Sequence, residues 1–204
     1  MILDAVESNK PPVFLTSERD FKKISNTAHA QGIGALLRFP QQALNADSLL
    51  NEKKGIVIAI DELNDPGNLG TIIRTAEWFG VTGMAIGKNT VAWHNDKVLR
   101  ASMGAIFHLP FLEVEDFPMF LQKAKAAGFT LFAADQNGTT SLSNVQIPEK
   151  SILLLGDEAK GLSRQSRKAA DEILAIEGKG KVESLNVASA AAILMAKFCE
   201  PGRS

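Results

Sequence analysis

Apolar residues follow two alternating patterns along most of the chain. Residues 56–60 form a continuous aliphatic run directly after Gly55, which predicts a strand buried on both faces. A polar turn follows, and apolar residues then recur at helical spacing until Gly80, which predicts an amphipathic helix. The apolar positions of this helix are Leu69, Ile72, Ile73, Ala76 and Phe79.

The alternation continues towards the C-terminus. Further strands are predicted at residues 84–86, 111–114, 130–133, 152–155 and 173–176. Further helices are predicted at residues 96–101, 117–124 and 187–198. Strands alternating with helices predict an α/β fold, with a mostly parallel sheet and helices on both of its faces.

A polar stretch after Phe39 separates a small N-terminal segment from this α/β pattern. We predict a linker at residues 40–55, which end in Lys53, Lys54 and Gly55. Residues 1–39 are too few to bury much core, so we expect them to dock on the rest or to be the remnant of a larger domain. Residues 56–204 form the predicted main domain.

Composition narrows the classes to which the chain can belong. Of its 204 residues, 45% are hydrophobic and 22% are charged, which is ordinary for a folded globular protein. The single cysteine, Cys199, excludes an internal disulfide framework and a multi-cysteine metal site. The net charge of −1 gives no sign of a nucleic-acid partner.

The sequence also bears on membranes, metals and location. No apolar run approaches the roughly 20 residues that span a bilayer, and the N-terminus, with Asp4 and Glu7, does not resemble a secretory signal. We therefore expect no membrane partner and a cytoplasmic location. His29, His94 and His108 are scattered in sequence, and we expect no metal.

Three segments rich in polar residues and glycine follow predicted strands, where ligands bind in open α/β sheets. They are residues 61–76, 155–163 and 178–192. Each segment also has an ordinary structural interpretation. Asp65 can cap a helix that starts at Pro66, and Gly156 can open a turn into a short helix. Ser184 or Asn186 can cap the last helix.

Together the three segments resemble the signature motifs of the SpoU-type RNA 2′-O-ribose methyltransferases, which belong to the SPOUT class. Residues 68–76, 154–162 and 183–191 are similar to the first, second and third motifs, in the family's order and at comparable spacing. The resemblance covers roughly residues 55–198. Residues 25–33 are similar to the end of a small RNA-binding domain, related to ribosomal protein L30e, that precedes many of these enzymes; here that domain is short and incomplete.

The resemblance implies a C-terminal trefoil knot, S-adenosylmethionine as the cofactor, RNA as the substrate and a homodimer with the active site near its interface. Matched by motif, Arg74 is the leading catalytic candidate. A fixed guanidinium would stabilise the alkoxide that develops at the ribose 2′-OH, since it stays protonated and cannot act literally as a base. The other matched residues fall into two groups. The catalytic group adds Asn68, Glu158, Ser184 and Asn186, and the cofactor group is Gly156, Ile176 and Leu185.

One position departs from the family pattern. Glu177 stands where the family usually has proline, so we expect a freer loop and a charge near the cofactor site, which could lower cofactor affinity.

Alternatives remain open at this point. The substrate could be tRNA rather than the expected rRNA, or the chain could be a catalytically idle RNA-binding or assembly protein with the same fold. A Rossmann-like dehydrogenase is disfavoured because no G-x-G-x-x-G fingerprint is present. RNA binding also requires a local basic face, for which Lys22, Lys23 and Arg38 are candidates, supplemented by the dimer.

Overall fold

The computed structural model describes residues 12–25, 31–36, 45–182 and 184–200. The chain divides into two compact units, residues 1–41 and 42–204. In the first unit, helix α1 spans Glu18–Ile24, begins at the N-cap Ser17 and buries none of its residues. Most of the predicted L30e-like stretch, residues 26–30, and the candidate basic residue Arg38 lie outside the described residues.

The second unit is built on a seven-stranded sheet in which every pair of neighbouring strands is parallel. Its strands are β1 (Gly55–Ile60), β2 (Gly83–Gly87), β3 (Phe111–Val114), β4 (Thr130–Ala134), β5 (Thr140–Ser141), β6 (Lys150–Leu155) and β7 (Glu172–Ala175). Their order across the sheet is β3-β2-β1-β6-β4-β7-β5. The predicted parallel sheet is therefore confirmed.

Six α-helices belong to the second unit within the described residues. They are α2 (Ala46–Leu50), α3 (Pro66–Trp78), α4 (Asp96–Ala101), α5 (Phe117–Ala126), α6 (Arg164–Ala169) and α7 (Val187–Phe198), with a short 3₁₀ helix at Ala105–Phe107. Asp65 caps α3 with Pro66 in its first turn, as the sequence suggested.

The helices cover both faces of the sheet, because alternate residues of the central strands enter different cores. Ile58 and Ile60 of β1 point into one core, with apolar residues of α3, α4 and α7. Val57 and Ala59 point into the other, with apolar residues of α2 and α5. The continuous aliphatic run of β1 is thus explained by burial on both sides.

The structure departs from the sequence expectations in short elements. The strand predicted at residues 173–176 starts and ends one residue earlier, as β7. Helix α1 and the two-residue strand β5 carry too few residues to show a period, and neither was predicted. Within the predicted linker, residues 46–50 form α2, whose Leu49 and Leu50 are buried under the sheet. The domain boundaries themselves stay predictions.

Within the described ranges, no helix is long and apolar enough to cross a membrane.

Candidate functional site

The central strands β1 and β6 lie side by side, and the chain leaves both at the same edge of the sheet. From β1 the chain continues to β2 and β3 on one side, whereas β4, β7 and β5 lie on the other side of β6. The β1–β6 boundary is therefore a switch point, where ligands bind outside the carboxyl ends of the strands. Two of the three polar segments, residues 61–76 and 155–163, begin at this point.

Glu158 is the centre of a hydrogen-bond cluster at this edge. Its Oε1 accepts from Asn68 Nδ2 at 3.0 Å, from the backbone N–H of Val187 at 3.1 Å, and from Asn186 Nδ2. Asn186 Nδ2 also donates to Asn68 Oδ1 at 3.1 Å. One residue from each of the three predicted motifs therefore meets in a single cluster.

Asn186 belongs to this cluster and also starts α7. Its Oδ1 accepts from the backbone N–H groups of Ala188 at 3.0 Å and Ser189 at 3.2 Å, which is an N-cap. Its Nδ2 faces Glu158 and Asn68. The capping interpretation and the functional interpretation of Asn186 are thus compatible, because they use different atoms. The Glu158 carboxylate also lies at the N-terminus of α7, where negative charge is favoured.

A second link between the same loops was missed by sequence reasoning. Asp157 Oδ2 accepts from Asn64 Nδ2 at 3.0 Å, and its Oδ1 accepts from the N–H of Ala159 at 3.0 Å. The Ala159 bond, with those from Asn64 and Lys160, holds the pKa of the Asp157 carboxyl below its ordinary value of 3.8, so the group is ionised at neutral pH. The only signal in the sequence was a carboxylate in the glycine-containing turn that follows a buried strand.

Asp61 makes a third link, at the start of the segment that follows β1. It is buried, and its Oδ2 accepts from the N–H of Ser163 at 2.8 Å. Because Ser163 caps α6, this bond fixes the end of the loop that carries Asp157 and Glu158. Sequence reasoning did not single out Asp61.

Gly156 opens the loop after β6, and the packing of that loop requires glycine there. A Cβ at this position would lie 2.4 Å from the carbonyl oxygen of Gly161 and 2.6 Å from the backbone nitrogen of Leu162. Asp157 and Gly161 exchange backbone hydrogen bonds across the loop. The packing of the loop is therefore enough to explain why this position is glycine. The predicted contact of Gly156 with a cofactor stays a prediction.

Arg74 lies apart from the cluster. It is on α3, six residues beyond Asn68, which is about 9 Å along the helix axis at about 1.5 Å per residue. It is exposed and makes no hydrogen bond or ion pair with any described residue. Within one chain, therefore, the structure does not bring Arg74 to Glu158 and Asn186.

The remaining predicted residues flank the same edge of the sheet. Ile176 follows β7 and is half-buried against the core that contains α7. It lines a shallow cavity of about 300 Å³, with Glu177 beside it. Ser184 and Leu185 precede Asn186; Ser184 is exposed, and Leu185 is 51% exposed despite its apolar side chain.

The site is rich in hydrogen-bond donors and acceptors and poor in metal ligands. Among the residues that the structure describes, no group of three or more His, Cys, Asp or Glu side chains could hold a metal ion. The second carboxylate oxygen of Glu158 accepts no bond from the described chain, so it can receive one from a ligand. Leu185 and Ile176 provide apolar surface for an uncharged ring.

Comparison with known proteins gives concordant matches. A model of the SpoU rRNA Methylase family matches residues 55–196. The chain is 38% identical over 139 residues to an uncharacterized tRNA/rRNA methyltransferase of Archaeoglobus fulgidus, a match covering 68% of this chain and 62% of the relative. It is 32% identical over 182 residues to the 23S rRNA (guanosine(2553)-2′-O)-methyltransferase RlmP of Bacillus subtilis, a match covering 89% of this chain and 70% of the relative.

A solved structure is also similar. The AdoMet-bound rRNA methyltransferase of Sinorhizobium meliloti superposes with a TM-score of 0.72 at 28% identity, over 78% of this chain and 60% of that one. The chain thus spans less than two thirds of the length of the Archaeoglobus and Sinorhizobium proteins. Because the family model covers most of this chain and the Bacillus relative matches nearly all of it, the chain belongs to the SpoU rRNA methylase family.

Proposed function

We propose that the chain is an S-adenosylmethionine-dependent RNA 2′-O-ribose methyltransferase acting on rRNA. The observation that carries the proposal is the cluster of Asn68, Glu158 and Asn186, which unites the three motifs at the switch point of the sheet. The Bacillus relative is named for 2′-O-methylation of 23S rRNA, and the Sinorhizobium structure holds AdoMet.

The residues at the edge fit this cofactor. When bound, S-adenosylmethionine supplies the methyl group on a positively charged sulfur. Ile176 and Leu185 offer apolar surface for its adenine ring, and Glu158 offers a carboxylate with one oxygen unused by the chain. The charge of Glu177 lies beside Ile176.

The chain's own part in the reaction is to orient the ribose and to stabilise charge. An oxygen–carbon bond forms at the ribose 2′-OH while the sulfur–carbon bond breaks, and the hydroxyl proton leaves to phosphate or water. Arg74 favours the developing alkoxide because its guanidinium stays charged and can bridge the hydroxyl and a phosphate. Asn68, Glu158, Ser184 and Asn186 orient the reacting groups.

We further propose a homodimer in which one subunit supplies Arg74 to the partner's Glu158 cluster. Arg74 is exposed, has no hydrogen-bond or ion-pair partner among the described residues and lies away from the cluster along α3, so a second copy can bring the two together. Helix α7 supports a dimer because Ser189, Ile193 and Ala196, which are one helical turn apart, are exposed, and Ile193 is 42% exposed. An apolar outward face on a helix indicates that another surface covers it.

The trefoil knot of the family also belongs to this proposal. Its support here is that the loop before α7 is tied to the loop after β6 through Asn186, Val187 and Glu158. A C-terminal segment held against that loop is the arrangement that threading would produce.

The test is cofactor binding followed by methyl transfer. Calorimetry with S-adenosylmethionine should show one site per chain and the same affinity with and without a chelator, because no metal is expected. Transfer of labelled methyl to rRNA and tRNA fragments, with mapping of 2′-O-methylation, then identifies the substrate; the Archaeoglobus relative is named for both RNAs. Chelator-sensitive binding, or cofactor binding without transfer to any RNA, would contradict the proposal, the latter favouring an idle RNA-binding protein.

A further inference from the structure

A second cleft lies beside the candidate site, at the carboxyl ends of β2 and β3. It has a volume of about 200 Å³. This is less than the roughly 300 Å³ at which sites for drug-sized ligands begin, so it suits a single ring rather than a whole nucleotide. Its position outside parallel strands is one at which α/β folds bind ligands.

The walls of the cleft combine an aromatic ring with carboxylates. Trp93 is half-buried, with its ring 4.7 Å from that of Phe111 between centroids, and it lines the cleft. Glu113, near the end of β3, and Glu115, just after that strand, line it too, and both are exposed. Among the described residues that line the cleft, Lys88 is the one cation. Neither carboxylate makes an ion pair with a described residue.

The charges decide what the cleft can hold. Two carboxylates against one ammonium give a net negative lining, which disfavours phosphate and favours a neutral group that donates hydrogen bonds. A metal is disfavoured, since no cluster of three ligating side chains exists in the described part of the chain. Planar rings with N–H donors match both the aromatic wall and the acceptors.

One buried polar atom supports a bound ligand independently of these charges. The hydroxyl oxygen of Thr90, another lining residue, is buried and has no hydrogen-bond partner within the described chain. It is the sole side-chain oxygen or nitrogen of the described residues in this condition. An unsatisfied buried hydroxyl is costly, so such a group calls for a partner.

We infer that this cleft binds an RNA base carrying an exocyclic amino group, namely cytosine, adenine or guanine rather than uracil. The base stacks on Trp93 and donates its amino hydrogens to Glu113 or Glu115. Stacking on aromatic rings and hydrogen bonding on base edges are how proteins read unpaired RNA bases. This inference rests on the proposed function, because it makes the cleft a recognition subsite for the same RNA.

The cleft is connected to the candidate active site by short contacts. Asn89 Nδ2 donates to Glu62 Oε1 at 3.0 Å, and the N–H of Val91 donates to the carbonyl of Leu63 at 2.8 Å. The next residue, Asn64, holds Asp157 beside Glu158. A base in the cleft would therefore belong to a nucleotide near the methylated ribose.

The experiment uses Trp93 as its own reporter. The chain has two tryptophans, and Trp78 is 82% exposed, so Trp78→Phe leaves Trp93 as the single fluorophore at little cost to folding. Cytidine and uridine, which differ at the exocyclic position that carries the cytosine amino group, are titrated against this variant. We expect cytidine to quench Trp93 with a dissociation constant about tenfold lower than that of uridine.

Matched variants test the carboxylates. In Glu113→Gln/Glu115→Gln the cytidine preference should fall to within about twofold or reverse, because an amide can donate to the uracil oxygen. Glu52→Gln, an exposed glutamate before β1 at the opposite edge of the sheet, should keep the preference. Saturation-transfer difference NMR on the unmodified chain repeats the comparison without substituting Trp78.

The outcomes separate this inference from the proposed function. Equal binding of cytidine and uridine, or a preference that survives the double substitution, would overturn the inference. Calorimetry with S-adenosylmethionine on the same variants should give the parent affinity. If the parent chain fails to bind the cofactor, the proposed function fails, while the nucleoside comparison still decides whether the cleft discriminates bases.

Discussion

Glu158 is an exposed residue that accepts several hydrogen bonds on one carboxylate oxygen. Three N–H donors, from Asn68, Asn186 and Val187, converge on its Oε1, so the carboxylate holds two loops and the start of α7 in register. All three donors are neutral and need an acceptor. Sequence comparison placed Glu158 among polar positions of the second motif, but only the folded chain shows that it organises the other two.

Replacing Glu158 tests this organising role. Glu158→Ala should slow methyl transfer by at least about tenfold, because the amides of Asn68 and Asn186 lose their common acceptor. The free energy of unfolding should fall by no more than about 1 kcal/mol, since water can replace the acceptor at an exposed site. Glu158→Gln keeps an acceptor oxygen, so its rate of methyl transfer should lie between those of the parent chain and Glu158→Ala. Single-turnover transfer and denaturant unfolding give both quantities, with Glu52→Ala as the control; a parent rate in Glu158→Ala would refute the role.

Arg74 differs from Glu158 in that it is exposed and makes no hydrogen bond or ion pair with any residue in the described part of the chain. Arg74→Ala should reduce methyl transfer by about 10²–10³-fold and leave the cofactor dissociation constant nearly unchanged, because the guanidinium acts on charge at the ribose oxygen. Arg74→Lys should rescue poorly, as a compact ammonium lacks the planar fork.

The measurements for Arg74 are calorimetry with S-adenosylmethionine and single-turnover transfer on each variant. Glu77→Ala, another exposed position on α3, is the control and should keep both values. Loss of cofactor binding as severe as the loss of activity would assign Arg74 to the cofactor instead.

At the scale of elements, the sequence predicts the longer helices and the strands that are buried on both faces of the sheet. The continuous aliphatic runs of β1 and β6 indicate strands buried on both faces, and α3 is long enough to show a 3.6-residue period. Strand β5 has two residues and is defined by its pairing with β7, which is a tertiary contact with no local signal. The Asp157–Asn64 link is likewise long-range, so spacing could not reveal it.

The packing of α3 on α4 depends on a glycine. A Cβ on Gly70 would lie 2.6 Å from Ala101 Cβ and 2.7 Å from the carbonyl oxygen of Val98. The sequence placed Gly70 within the first motif, and the structure adds a reason for glycine there, since backbone at this distance cannot yield as a flexible side chain would.

Gly70→Ala should therefore destabilise the chain. Overpacking costs about 1–3 kcal/mol, and the higher helix propensity of alanine returns about 1 kcal/mol, so we expect a net loss of up to about 2 kcal/mol. Urea unfolding measures it, with Thr71→Ala, on the exposed side of the same helix, as a control that should change the free energy by less than about 0.5 kcal/mol. A stabilised Gly70→Ala would show that α4 can move away at no cost.

At the scale of the whole molecule, the predicted catalytic residues of a single chain do not all lie together. Asn68, Glu158 and Asn186 form one cluster, while Arg74 points to solvent from α3. Helix α7 buries Ala191, Leu194 and Met195 against the rest of the chain yet exposes Ile193. Both features are explained if a second copy covers α7 and completes the site.

The arrangement of a shared site can be tested by mixing inactive subunits. If each site combines Arg74 of one subunit with Glu158 of the other, a heterodimer of Arg74→Ala and Glu158→Ala subunits contains one fully intact site and one doubly defective site. Random exchange makes about half of the dimers mixed, so activity should return to about a quarter of the parent value. If each site lies within one subunit, every site carries one substitution and mixing restores nothing. Light scattering must show a dimer for each variant, and Ile193→Asp, placed on the outward face of α7, should shift the chain to a monomer and abolish the restored activity.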